Sequence, residues 1–173
     1  ILELYSEALS ELKENSDPAV CAQTAKIYDS LARFQLRFPN SYQDGKKENL
    51  AKVYFEKSIS IKRDIDDKLG LAISLYGLAD FHEKDGDKKG ALSYFQETAK
   101  INMEIGSFEF AARTFLKISS LEEKKDAAVL SLQKVRDILN SGELGQSEDA
   151  RSIAEEVEKI STSLDSTISN ENV

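Results

Sequence analysis

One histidine, one cysteine, one methionine, two prolines and no tryptophan occur among the 173 residues, and each scarcity removes a class of function. With Cys21 alone, no internal disulfide can form. That suits a reducing compartment, and the expectation is a cytoplasmic protein. With His82 alone, the several spaced ligands of a zinc site are missing. No apolar stretch approaches the about 20 residues of a membrane span. The opening Ile1-Leu2-Glu3-Leu4 has no basic stretch of the signal-peptide kind. No GxxxxGK[ST] or GxGxxG run is present, so no nucleotide cofactor is expected. A net charge of −8 argues against nonspecific nucleic-acid binding and against docking on anionic membranes. The chain opens without Met, and the expectation is a piece of a longer protein cut inside or beside a repeat.

Few helix breakers and 31% charged residues favour an all-α fold. The residues present then say something twice. Ala51-Lys52-Val53-Tyr54-Phe55-Glu56-Lys57-Ser58-Ile59-Ser60-Ile61 and Ala91-Leu92-Ser93-Tyr94-Phe95-Gln96-Glu97-Thr98-Ala99-Lys100-Ile101 share Ala, Tyr-Phe and the closing Ile in register, forty residues apart. A fixed period of this size points to stacked helical hairpins, each burying its apolar face on the next.

Helical spacing runs almost throughout. Leu2, Tyr5, Leu9 and Leu12 predict a short first helix ending near Asn15. Asp17-Pro18 restarts the chain as an N-cap followed by a first-turn proline, opening a helix that stops before Pro39. A loop covers Pro39–Gly45. Further helices are expected from about Lys46 to Ile65, with Asp66-Asp67 at its break, then to Asp85-Gly86-Asp87, then to Ile105, with Gly106-Ser107 as the next stop and cap. Ala111, Phe115 and Ile118 mark another helix. After a turn at Lys124–Asp126 comes one with Ala128, Leu132 and Val135. Beyond the Ser141–Gly145 loop, Ile153, Val157, Ile160, Leu164 and Ile168 form one narrow stripe on a polar helix. The expected organisation is an array over 1–140 (1–15 a truncated unit; repeats 22–66, 68–105 and 107–140), a helix over 147–168, and a frayed tail over 169–173.

Leu78-Ala79, His82, Gly86-Asp87, Ala91, Phe95 and Thr98 carry a resemblance to the tetratricopeptide repeat, with His82 where Tyr is usual and Thr98 where a smaller residue is usual. Leu31-Ala32, Ala51, Phe55 and Ser58 repeat it before. Ile118-Ser119, Ala128, Leu132 and Val135 repeat it after, without the turn glycine. Ala79 and Ala91 let two helices approach closely, and Leu78 and Phe95 fill the space beside them. The resemblance implies a right-handed superhelix of about three antiparallel hairpins plus flanking helices. It also implies a peptide-binding inner face lined by the first helix of each hairpin. Carried over position by position, that face holds Lys26, Asp29, Arg33 and Arg37. It continues with Ile73, Tyr76, Gly77, Asp80 and Glu83, then with Arg113, Leu116, Lys117, Ser120 and Glu123. Of the carboxylate clamp of chaperone-binding relatives, Arg113 and Lys117 match; Asp29, Arg33 and Gly77 do not.

The function expected is a noncatalytic protein–protein interaction scaffold, with Lys26, Arg33, Arg37, Tyr76, Asp80, Arg113 and Lys117 facing a peptide or helix. An acidic or carboxylate-bearing partner fits the cations. The same cations also read as a solvated face neutralised by Asp29, Asp80 and Glu83. The other readings are a regulatory segment of a larger signalling NTPase or kinase, an all-helical enzyme, and a membrane-fusion adaptor. No cofactor or metal is expected. His82 reads as a packing residue and Cys21 as one too; Glu83, Asp85 and Asp87 read as a capped turn rather than a calcium loop. The last helix reads as a cover for the array's apolar end, as a homodimer coiled coil, or as a ligand mimic.

Overall fold

In the computed structural model, residues 17–38 and 50–171 are described, with side chains of the last helix through Asp165. The expected helix over 1–15, the 39–45 loop, the start at Lys46, the Ile168 side chain and the end of the tail lie outside the described residues. Among the described residues every regular element is α-helical: α1 (Pro18–Arg37), α2 (Leu50–Asp64), α3 (Lys68–Lys84), α4 (Lys88–Glu104), α5 (Phe108–Leu121), α6 (Lys125–Ser141) and α7 (Glu148–Glu171). The chain divides into two units, one through Ala91 and one from Leu92.

The first unit holds α1, α2, α3 and the first turn of α4. Asp17 caps α1, its Oδ1 accepting from the Ala19 amide at 2.8 Å, with Pro18 in the first turn. Pro has no amide to leave unpaired there. α1 packs on α2, and α2 on α3 as sequential antiparallel neighbours. Ala25, Leu31 and Ala32 meet Ala51, Phe55 and Ile59, and Ala72, Leu75 and Leu78 close the core. Ala79 and Ala91 are both fully buried. The Phe55 ring lies directly on Gly77: a Cβ there would stand 2.5 Å from Phe55 Cε1. Glycine permits that approach of α2 to α3 at a cost of about 1 kcal/mol in helix propensity.

The second unit holds the rest of α4 with α5, α6 and α7. α5 packs on α6, and α7 packs on both. Ala111, Ala112, Phe115 and Ile118 face Ala128, Leu132, Val135 and Ile138, and α7 adds Ala150, Ile153 and Val157. Of its apolar stripe, Ile153 and Val157 are thus buried within the second unit, and Ile160 and Leu164 are half-buried. Polar clasps reinforce the packing. Lys125 Nζ donates to the Leu164 carbonyl at 3.1 Å and pairs with Asp165 at 3.2 Å, and Arg136 Nη2 donates to Ser161 Oγ at 2.7 Å. Ser147 Oγ accepts from the Ala150 amide at 3.1 Å as the α7 cap, and the helical backbone runs to Glu171, past the expected end at 168.

The three inter-helix turns at 65–67, 85–87 and 105–107 share one geometry. The amides of Asp67, Asp87 and Ser107 bond back to the carbonyls of Lys62, His82 and Asn102 at 2.9, 2.9 and 2.8 Å. The preceding residues are left-handed: Asp66 (φ 54), Gly86 (φ 86) and Gly106 (φ 73). This is a Schellman close, and its last residue begins the next helix. Asp66 occupies a site that glycine favours, since Asp is among the few other residues that visit it. The same twenty-residue step relates core positions: Phe55, Leu75, Phe95 and Phe115 are all buried. The forty-residue period read from the sequence is therefore two turns of a twenty-residue helix unit.

Candidate functional site

α1 exposes Lys26, Arg33 and Arg37. Spaced seven and four residues apart, they share one face of a helix with 3.6 residues per turn. α3 exposes Leu69 (54%), Ile73 (47%) and Tyr76 (38%), spaced four and three, again one face. The two rows adjoin: Arg33 Nη2 donates to the Ile73 carbonyl at 3.4 Å. Arg37 also lies 5.8 Å from the Phe38 ring centroid. The first unit thus presents a cationic edge beside an apolar edge.

Beneath them lies a buried polar cluster. Lys62 Nζ pairs with Asp29 Oδ2, and donates to Ser74 Oγ at 2.7 Å. Ser74 Oγ stands 2.7 Å from Asp29 Oδ1 and 3.1 Å from Ser58 Oγ, and Ser58 donates to the Ala25 carbonyl at 3.0 Å. Lys62 is 3% exposed and Asp29 8%. A desolvated pair of this kind survives only when further hydrogen bonds satisfy both charges, and the serines supply them. Asp29 therefore belongs to the interior that joins α1, α2 and α3, where the sequence resemblance placed it on the open face. Lys62 and Ser74 are the residues sequence reasoning missed. A signal was there: Phe55, Ser58, Ile59 and Lys62 follow the i, i+3, i+4, i+7 spacing of a buried face.

Asp29 is thus withdrawn from neutralising the surface cations, and Asp80, half-buried, accepts from Lys84 Nζ at 2.8 Å. Among the described residues no ion pair involves Lys26, Arg33 or Arg37. In the second unit the expected contact residues differ. Arg113 Nε donates to Glu109 Oε1 at 2.9 Å, and its Nη2 donates to Asp149 Oδ1 at 2.7 Å. The bond to Glu109, and then the charges of Glu109 and Asp149, raise the Arg113 pKa above its ordinary value. Lys117 is half-exposed and Leu116 is buried in the core.

Two hollows lie in the second unit. One, of about 630 Å³, runs between the end of α5 and α7, lined by Ser119, Glu122, Glu155 and Lys159 among others. The other, of about 670 Å³, is lined by Met103, Phe108, Phe115 and Ile138, with Lys134 Nζ 4.9 Å from the Phe115 centroid. His82 is a working part of its turn. Its Nδ1 lies 2.8 Å from Asp87 Oδ2, while Asp87 Oδ1 accepts from the Gly90 amide at 2.9 Å. That amide bond, then His82, holds the Asp87 carboxyl below its ordinary value. A Cβ at Gly90 would stand 2.3 Å from Asp87 Oδ2 and 2.8 Å from His82 Nδ1. Among the described residues no group of three His, Cys, Asp or Glu is placed to hold a metal ion. None of the described helices is long and apolar enough to cross a membrane. No protein-family model matches the chain, and no curated protein is found that matches it.

Proposed function

We propose that the chain is a noncatalytic protein–protein interaction scaffold of the tetratricopeptide type. In this reading it takes a partner's peptide or helix on the face that α1 and α3 share. The supporting observation is the row Leu69, Ile73 and Tyr76, three large apolar side chains aligned on one exposed helix face. Apolar side chains gathered on a surface mark an interaction site more often than scattered ones do. The receptor side is preorganised: the helix that bears the row is fixed from behind by Phe55 on Gly77 and by Ser74 in the buried cluster. Ordering cost then falls mainly on the ligand.

Selection of a displayed random-peptide library on the purified chain tests this. The reading expects enriched peptides that share a motif and lose binding when Ile73→Ser and Tyr76→Ser are introduced together. Enrichment of no motif, or of peptides indifferent to both substitutions, removes it.

A further inference from the structure

We propose that the segment bound on this face is an acidic amphipathic helix, its apolar residues on Leu69, Ile73 and Tyr76 and its carboxylates on Lys26, Arg33 and Arg37. The inference rests on the scaffold reading and adds the chemistry of the partner. Its warrant is the asymmetry of the face. Exposed Lys26, Arg33 and Arg37 stand on α1 and exposed Leu69, Ile73 and Tyr76 on α3, and the Arg33 guanidinium reaches across to α3; Lys68 is also exposed beside Leu69, and Phe38 beside Arg37. None of the three α1 cations has an ion-pair partner among the described residues, in a chain whose net charge is −8. Of the acids read from the sequence as neutralising them, Asp29 is engaged by Lys62 and Asp80 by Lys84.

Dimensions favour a helical ligand. From Lys26 to Arg37 the cationic row covers eleven helical steps, about 16 Å, and the apolar row covers seven, about 10 Å. A helix of about 15 residues spans about 22 Å, enough to lie along both. Apolar residues at i, i+4 and i+7 match the spacing of the apolar row, and Glu or Asp one face over matches the cations. Arginine suits that role because its planar fork binds carboxylates in two-point geometry. Among the described residues α7 is also an acidic amphipathic helix, and it is an unsuitable occupant because Ile153 and Val157 are buried in the second unit. The occupant proposed is a segment of another protein.

Three labelled synthetic peptides of about 15 residues test the proposal by fluorescence anisotropy on the full chain. One carries leucines at i, i+4 and i+7 with glutamates at the flanking positions. The second replaces those glutamates with lysines, and the third replaces the leucines with serines. The first is expected to bind at least about tenfold more tightly than either of the others. Arg33→Glu with Arg37→Glu should weaken it by about tenfold or more, and raised salt should weaken it further. Arg33→Gln with Arg37→Gln should fall between, and unchanged circular dichroism and melting show that these variants fold. Equal or tighter binding of the lysine peptide, indifference to the arginine substitutions, or binding of none of the three overturns the proposal. A lysine-rich or uncharged library motif that depends on Ile73 and Tyr76 overturns it too, while leaving the scaffold reading in place.

Discussion

Arg33 and Arg113 stand eighty residues apart, two forty-residue periods, at the same repeat position in different units. Arg33 is exposed and donates one long bond to a backbone carbonyl; Arg113 is held by two carboxylates, Glu109 and Asp149. Residue type and register are the same, and ion pairing is opposite. The difference is made by acids elsewhere. In the first unit Asp29, which could have turned outward, is drawn inward by Lys62. In the second, Asp149 at the start of α7 arrives from 36 residues downstream to meet Arg113. A cation predicted to face a ligand is thus informative only together with the carboxylates that compete for it.

The strongest way to break this contrast is Lys62→Met. It leaves the Asp29 carboxylate buried without its counter-ion, and about 3–5 kcal/mol of stability should be lost in urea unfolding. Replacing Asp29 with Leu at the same time should return much of it, because removing both charges removes the desolvation problem. A single Lys62→Met variant as stable as the parent would show that the cluster does not hold Asp29 away from the surface.

A smaller effect concerns the apolar row. Gly77→Ala adds a methyl group against the buried Phe55 ring, so it should destabilise by about 1–3 kcal/mol despite its better helix propensity. Thermal melting of this variant beside an alanine substitution at exposed Ser93 separates the steric cost from propensity. Stabilisation by Gly77→Ala would mean that α2 and α3 do not meet as described.

Asp149→Ala sharpens the comparison directly. The pair is partly exposed, with side chains 39% and 55% accessible, so its loss should cost less than about 1 kcal/mol. Arg113→Glu should leave binding of the glutamate peptide close to that of the parent, where reversal at Arg33 and Arg37 weakens it. Equal losses from both reversals would erase the distinction between the units.

The smallest expected effect is acid dependence at the 85–87 turn. Asp87 sits below its ordinary value of 3.8 in the folded chain. Its contribution to stability is present above the unfolded value and disappears as pH falls through the lower folded one. Asp87→Asn should therefore give a shallower loss of stability below about pH 4 in pH-dependent melting. An unchanged acid limb would show that the amide bond from Gly90 and the contact with His82 do not set this carboxyl.

Much of the fold could be read in advance because its instructions are local. Asp17-Pro18, Gly86-Asp87 and Gly106-Ser107 begin or end helices through bonds that reach no more than five residues. Leu31, Ala32, Ala51, Phe55, Leu78, Ala79, Ala91, Phe95, Ile118, Ala128 and Leu132 announce themselves by helical spacing, and each is buried. Asp66-Asp67 was legible as a helix break, but the left-handed conformation of Asp66 was not, because that site usually carries glycine. Gly77 gave no local sign of its purpose, since the ring that requires it belongs to another helix. Lys62 was readable in part: its spacing put it on a buried face, and nothing nearby named its partner.

What the order of residues settled alone was where helices start, stop and turn an apolar face, because those choices depend on neighbours within a turn or two. Only the packed chain decided which charges remain at the surface. Asp29 meets Lys62 across 33 residues and Ser74 across 45, and Arg113 meets Asp149 across 36. Burial and ion pairing are set by distances in space, which the helices establish only once they lie against one another.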